Sequence, residues 1–460
     1  LYIWRTLITR DKKTTVDMKH NFFAQTTFLL LALALFFACK NKSTSSAEKT
    51  SSDTTTQPAY RQAAEFEPTS AVWLLWPNYD HKQGFSNAKV ILDIMDALIP
   101  YSRIKLVVPN DSIKRALERI LPPELFQRGQ MAIYTVPYRE FWARDMGPAF
   151  LINEKGELAM ADFDFNGWGY SSSLDPALEN DEKLDEHLGE MMGLPVISSD
   201  LITEGGDHEV NGRGLMIACE AVEKNRNPKK SLAQIEAEFK RVLGVKKVIW
   251  LKQGLREDDH TFGGTLTGEN GEKLYTVLTT NGHVDEMARF VDTNTVILAQ
   301  VDPSLNQDPI NLENARRLEI NYQILSKATD QDGRPLKIVR MPMPAPVIST
   351  MKPHDPVYDI ISNFKYQDGS VFPKGKPIKI IAAASYLNFL IANDCVIFPK
   401  YYRPGMDPAI NQQDEMAIAA LQRVMIKKRI IPIDALPVNF GGGGIHCITR
   451  NEPIKVAGWK

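Results

Sequence analysis

The chain has 460 residues, with 54 basic against 56 acidic side chains and a formal charge of -2. That balance, with no basic block along the chain, excludes nucleic acid as a partner recruited by charge. Four cysteines at this length are too few for a disulfide framework.

In chain order, residues 1–17 lie upstream of Met18, the expected start. Met18-Lys19-His20 leads into an apolar segment in which 28–38 is uninterrupted. A helix crossing a bilayer needs about 20 apolar residues, so this shorter run reads as a signal peptide. Cys39 closes it and the polar stretch 40–46 follows, as in a bacterial lipoprotein signal whose cysteine carries the lipid. Phe36 and Phe37 depart from the small residues usual before such a cysteine, and a plain secretory signal is the alternative. Residues 40–58 are Ser, Thr and Lys with almost no apolar side chain, so they cannot bury a core and read as a disordered tether. The expected organisation is therefore 1–38 upstream residues and signal, 39–60 lipidated tether, and 61–460 one catalytic domain. The implied location is the bacterial cell envelope, with a membrane anchor at Cys39.

Through the body, short β-rich runs alternate with helical ones. Residues 104–109 predict a strand, 111–121 an amphipathic helix with Asp111 as N-cap, and 131–137 a strand. Residues 181–192 and 231–243 predict helices, and 378–384 and 395–399 short buried strands. The alternation indicates an α/β domain with several sheets. Periodicity does not give its closure, and no internal repeat stands out. Cys219 and Cys395 read as buried structural thiols, with their pairing left open.

Four sites carry chemistry. Gly441-Gly442-Gly443-Gly444 runs into Ile445-His446-Cys447-Ile448-Thr449, where glycines allow positive φ and close approach to a ligand beside a cysteine nucleophile. In Gly282-His283-Val284-Asp285, strand alternation would put His283 and Asp285 on one face. Trp142-Ala143-Arg144-Asp145-Met146-Gly147-Pro148 places two charges between an aromatic and a Gly-Pro turn, after the strand at 132–137. Glu204-Gly205-Gly206-Asp207 is acidic and glycine-bounded after the apolar run 194–202.

Taken with Val72-Trp73-Leu74-Leu75-Trp76-Pro77, the segment Phe163-Asp164-Phe165-Asn166-Gly167-Trp168-Gly169 and the run from Tyr386 through Asn388 to Asn393, these motifs occur in the order of a known family. Between about Phe66 and Pro453 the chain resembles the agmatine deiminases and Porphyromonas-type peptidylarginine deiminases, within the enzymes that modify guanidino groups. The resemblance implies a five-bladed, pseudo-symmetric α/β propeller of the pentein type. Cys447 would attack the guanidinium carbon, His283 would act as general acid and then base, and Glu204 would orient the histidine. Asp145 and Asp285 match the carboxylates that grip the planar, forked cation, with Trp142 and Asn388 as further substrate-binding positions. No metal or organic cofactor enters this chemistry. The implied substrate is agmatine, giving N-carbamoylputrescine and ammonia, or else an arginine-containing peptide.

Other readings of the same residues are a papain-like protease, whose sequence around the cysteine is missing here, and a metal hydrolase on His283, Asp285 and Asp145, for which no second close His or Cys completes a zinc set. The glycine run lacks the Lys and Ser or Thr of a P-loop. A lipid-anchored binding protein is the non-enzymatic alternative. Departures from the family bear on the substrate's far end. The agmatine enzymes carry a short acidic stretch ahead of Gly282, whereas here residues 253–273 look like an insertion, containing Glu257, Asp258, Asp259 and His260, that can reshape the entrance, and Thr279, Thr280 and Asn281 directly precede Gly282. Gly444 replaces an asparagine, and Arg450-Asn451-Glu452 follow Thr449.

Overall fold

The computed structural model describes residues 59–171, 176–301 and 308–455. The expected signal segment and Cys39 lie outside the described residues. Among the described residues no helix is long and apolar enough to cross a membrane.

Six sheets make up the α/β body, and five of them share one pattern. In each, a buried central strand pairs antiparallel with a short strand on one side and parallel with a longer strand on the other. The central strands are Thr69–Leu75, Leu158–Asp164, Leu215–Cys219, Thr295–Gln300 and Cys395–Lys400. Their antiparallel partners are Thr449–Pro453, Ala149–Ile152, Glu209–Val210, Ala288–Phe290 and Leu390–Ile391. Each parallel partner is reached through a helix, because parallel pairing needs a crossover. Those helices are Asn87–Leu98, Leu184–Met192, Leu232–Leu243, Pro309–Lys327 and Pro408–Val424. Central strands covered on both faces are apolar along their length, as in Leu215–Cys219, which is buried throughout. The sixth sheet joins Leu266–Thr267, Lys273–Thr276, Ile378–Ile381 and Ile348–Met351.

The shared pattern positions the site. Asp145 precedes Ala149–Ile152, Glu204 precedes Glu209–Val210, His283 and Asp285 precede Ala288–Phe290, Asn388 precedes Leu390–Ile391, and Cys447 precedes Thr449–Pro453. One functional turn thus opens the short strand of each repeated unit.

Several sequence expectations are corrected at this level. The helix expected from 111 is Asp111–Ile120, but Asn110 is its N-cap, its side chain accepting from the Ile113 N–H at 3.1 Å. The single helix expected at 181–192 is broken into Glu179–Glu182 and Leu184–Met192. His283 and Asp285 do not alternate along a strand. His283 caps a tight 3₁₀ turn, Val284–Glu286, and Asp285 lies inside it, because Asp258 accepts from the backbone N–H of Thr280 at 2.9 Å, Gly282 at 2.9 Å and His283 at 3.2 Å and curls the segment around its carboxylate. Cys219 and Cys395 are buried free thiols, as expected, and burial pushes both up, Cys395 to about 12.

Candidate active site

Cys447 is almost fully buried at the end of the glycine run. The glycines form a tightly packed wall and are not a flexible loop. Gly442 has φ 113°, and a Cβ there would lie 1.5 Å from the Leu278 carbonyl oxygen, so no other residue fits. The Cys447 carbonyl accepts from the Arg144 N–H at 2.9 Å, tying the nucleophile's strand to the helical turn Ala143–Met146 that carries Asp145.

Three carboxylates face the sulfur. Cys447 Sγ lies 3.6 Å from Asp285 Oδ2 and 3.9 Å from Glu286 Oε1. Asp145 is held by the Gly206 N–H at 3.0 Å and the Trp168 indole N–H at 2.9 Å. Burial, followed by the charges of Asp285, Glu286 and Asp145, pushes the Cys447 thiol well above its usual range. These surroundings favour a neutral thiol beside negative charge.

His283 sits on the other side. Its Nε2 is 3.1 Å from Glu204 Oε2, and its Nδ1 is 3.9 Å from Asp145 Oδ1. Gly206 packs against the imidazole, and a Cβ there would lie 2.3 Å from Nδ1. Burial alone would push His283 down, but Asp145, the bond to Glu204 and the charges of Glu204 and Asp285 lift it to about 10. Glu204 in turn is fixed by Arg226, whose Nε donates to Oε1 at 2.7 Å. Burial would raise Glu204, yet the Arg226 charge and the His283 bond bring it down to about 2. The histidine is consequently an imidazolium at neutral pH.

Two buried polar atoms beside the sulfur have no hydrogen-bond partner among the described residues: Asp285 Oδ1 and His283 Nδ1. Such orphans are costly unless a ligand satisfies them. A cavity of about 40 Å³ opens onto Cys447 and Asp145, with Trp142 and Trp168 among its walls. Their rings stand nearly perpendicular, with centroids 6.5 Å apart. Asp285, Glu286 and Cys447 also form a set whose donor atoms lie within 4.8 Å of one another and could hold a cation.

The structure brings together Cys447, His283, Glu204, Asp145, Asp285 and Trp142. Asn388, expected to bind substrate, lies against the nucleophile itself and, like Asp285, His283 and Glu204, is not among the cavity's lining residues. Its Nδ2 donates to Cys447 Sγ at 3.1 Å and Glu286 Oε1 at 2.9 Å, and its Oδ1 accepts from the His446 N–H at 2.8 Å, so it holds the nucleophile. The loop 253–273 also differs from expectation. Asp258 anchors the His283 turn, while Glu257 accepts from Asn314 at 2.7 Å and Asp259 pairs with Arg317 at 2.6 Å, away from the cavity. Sequence reasoning missed Arg226, Trp168, Glu286 and Asp258. Trp168 stood within a quoted motif and Glu286 beside Asp285, whereas Arg226 ends an ordinary helix, Glu220–Arg226, with no local signal.

Residues 61–264 and 269–453 match the Porphyromonas-type peptidyl-arginine deiminase family. The chain belongs to that family. It is an enzyme of the hydrolase class that acts on carbon–nitrogen bonds. An agmatine deiminase of Pseudomonas aeruginosa (strain LESB58) is 29% identical over 401 residues, covering 86% of this chain and 95% of its own. The solved agmatine deiminase of Enterococcus faecalis is 28% identical with a TM-score of 0.67, covering 86% of this chain and 97% of that one. A Campylobacter relative, solved as "C. Jejuni Agmatine Deiminase", is 20% identical with a TM-score of 0.58 over 86% of this chain and 96% of its own, a likeness of fold.

Proposed function

We propose that the chain hydrolyses the guanidino group of a small guanidino amine, agmatine first among them, through a covalent intermediate on Cys447. The observation that carries this is the arrangement of the site: buried carboxylates against the sulfur, an imidazolium held between Glu204 and Asp145, and an unpartnered acceptor on Asp285 and donor on His283. A guanidinium is planar and cationic with a fork of N–H donors, so Asp145 and the free Oδ1 of Asp285 fit its edges. Its charge also neutralises the acids that hold the thiol protonated, so substrate binding itself favours the thiolate.

As the substrate's charge enters, the Cys447 thiol loses its proton to solvent, and the thiolate attacks the guanidinium carbon to give a tetrahedral adduct. His283 gives its proton to the departing nitrogen, the C–N bond breaks, and ammonia leaves a thiouronium on the cysteine. Water adds to that carbon while His283 takes its proton. The C–S bond breaks, releasing the ureido product and returning the thiol. Glu204, held by Arg226, keeps the ring oriented through both halves. The five repeated units support a five-bladed propeller, each unit sending one turn to a common centre.

Replacing Cys447 with Ala is expected to abolish ammonia release while substrate still binds, and release near the wild-type rate would sink the covalent reading. Comparing kcat/KM for agmatine, free arginine and a C-terminal arginyl peptide ranks the substrates. The family name supports the peptide as the second reading. We further propose that the chain is anchored in the bacterial envelope through Cys39, supported by the residue pattern around it. Detergent partitioning of the full chain, lost in Cys39→Ser, tests this.

A further inference from the structure

We infer that Glu140 is the specificity-determining residue of this cavity, receiving a second cation on the substrate. This rests on the deiminase reading above. Glu140 lines the same cavity of about 40 Å³ as Cys447 and Asp145, so one narrow space holds two carboxylates, with Trp142 and Trp168 among its walls. Its side chain is 10% exposed. One oxygen, Oε2, accepts from the Tyr79 hydroxyl at 2.8 Å, and Tyr79 lines the cavity too. The other, Oε1, has among the described residues the Nε of Arg139 as its partner, at 3.6 Å, on a side chain that is 56% exposed.

The carboxylate is held in place by its own backbone. Asp181, fully buried, accepts from the N–H of Arg139 at 2.7 Å and of Glu140 at 3.1 Å, and its second oxygen has no partner among the described residues. Two acids and a phenol thus converge where no arginine or lysine lines the cavity. Burial raises both Glu140 and Asp181, the latter to about 6, and the charge of the exposed Arg139 does not offset it. An ammonium there meets opposite charge and a hydroxyl. The α-carboxylate of free or C-terminal arginine instead meets a like charge with nothing to pair with. The chemistry selects an alkyl chain with a guanidinium at one end and a primary ammonium at the other.

The test compares agmatine with butylguanidine, which lacks the amine, and with arginine, in the wild type and in Glu140→Gln. The amide keeps the shape and can still accept from Tyr79. The wild type is expected to prefer agmatine over butylguanidine, and Glu140→Gln to reduce that ratio of kcat/KM by about 10- to 100-fold, mostly through KM, as for loss of a charged hydrogen bond. Tyr79→Phe should reduce it less. Equal losses on agmatine and butylguanidine would mark Glu140 as structural and overturn the inference, as would an unaltered ratio. Wild-type turnover of arginyl peptide far above agmatine would overturn it while leaving the deiminase reading intact. No ammonia from any guanidino compound would overturn both.

Discussion

Two groups of buried acids flank the nucleophile's strand and are treated oppositely. Behind it, Glu65 accepts from Arg144 at 2.7 Å and Arg289 at 2.8 Å, and from His446 Nε2 at 2.7 Å, while Glu209 pairs with Arg289 at 2.9 Å. Burial would raise Glu65, but His446, Arg289 and Arg144 hold it well below the usual carboxylate range. In front, no arginine or lysine among the described residues bonds to Asp145, Asp285 or Glu286; burial raises Asp145 and Glu286, while at Asp285 His446 and His283 outweigh burial and lower it. His446 joins the two groups, its Nδ1 lying 2.6 Å from Asp285. A protein that neutralises its own acids on one side and leaves them bare on the other has reserved the bare side for a cationic ligand.

The comparison is broken most directly at the bare side. His283→Gln should lower kcat by roughly 10²- to 10⁴-fold, the usual range for a general acid or base, and unimpaired ammonia release would remove His283 from the chemistry. Asp145→Asn and Asp285→Asn should each lose about 2–5 kcal/mol of transition-state stabilisation, read from kcat/KM, because one partner of a desolvated charge pair is gone.

Stability should respond in the opposite sense on the two sides. Arg289→Met leaves Glu65 and Glu209 buried without their shared cation and should cost about 3–5 kcal/mol in denaturant unfolding. Asp145→Asn should hold or raise Tm, because an acid lifted by burial opposes folding when ionised. A fall in Tm for Asp145→Asn matching that for Arg289→Met would erase the distinction.

The smallest expected effect is the pH dependence of the His283–Glu204 pair. His283, raised to about 10, contributes stability that is full below about 6.5 and declines as pH rises towards 10. Glu204, lowered to about 2, contributes stability that is full above its ordinary carboxylate value and is lost as pH falls towards 2. Denaturant midpoints of the wild type should therefore decline from pH 6.5 to 9, and the decline should flatten in His283→Gln.

The sequence by itself determined the chemical inventory. A glycine run before Cys447, and His283, Glu204 and Asp145 in glycine-bounded turns, were legible because each needs particular residue types in a short span. The helix at 232–243 was equally legible, since Ser231 and Gln234 form a local capping box. Only the tertiary structure decided what those residues face. Arg226, 22 positions from Glu204, fixes the histidine's partner, and Asp258 curls the His283 segment out of the strand that its alternation suggested. The fivefold recurrence of short strand, central strand, helix and parallel strand is carried by backbone pairing, which tolerates unrelated apolar side chains and leaves no repeat in the letters. Charge compensation is likewise a property of space: Glu65 and Glu140 are both glutamates in the sequence, and burial beside arginines or beside an open cavity gives them opposite uses.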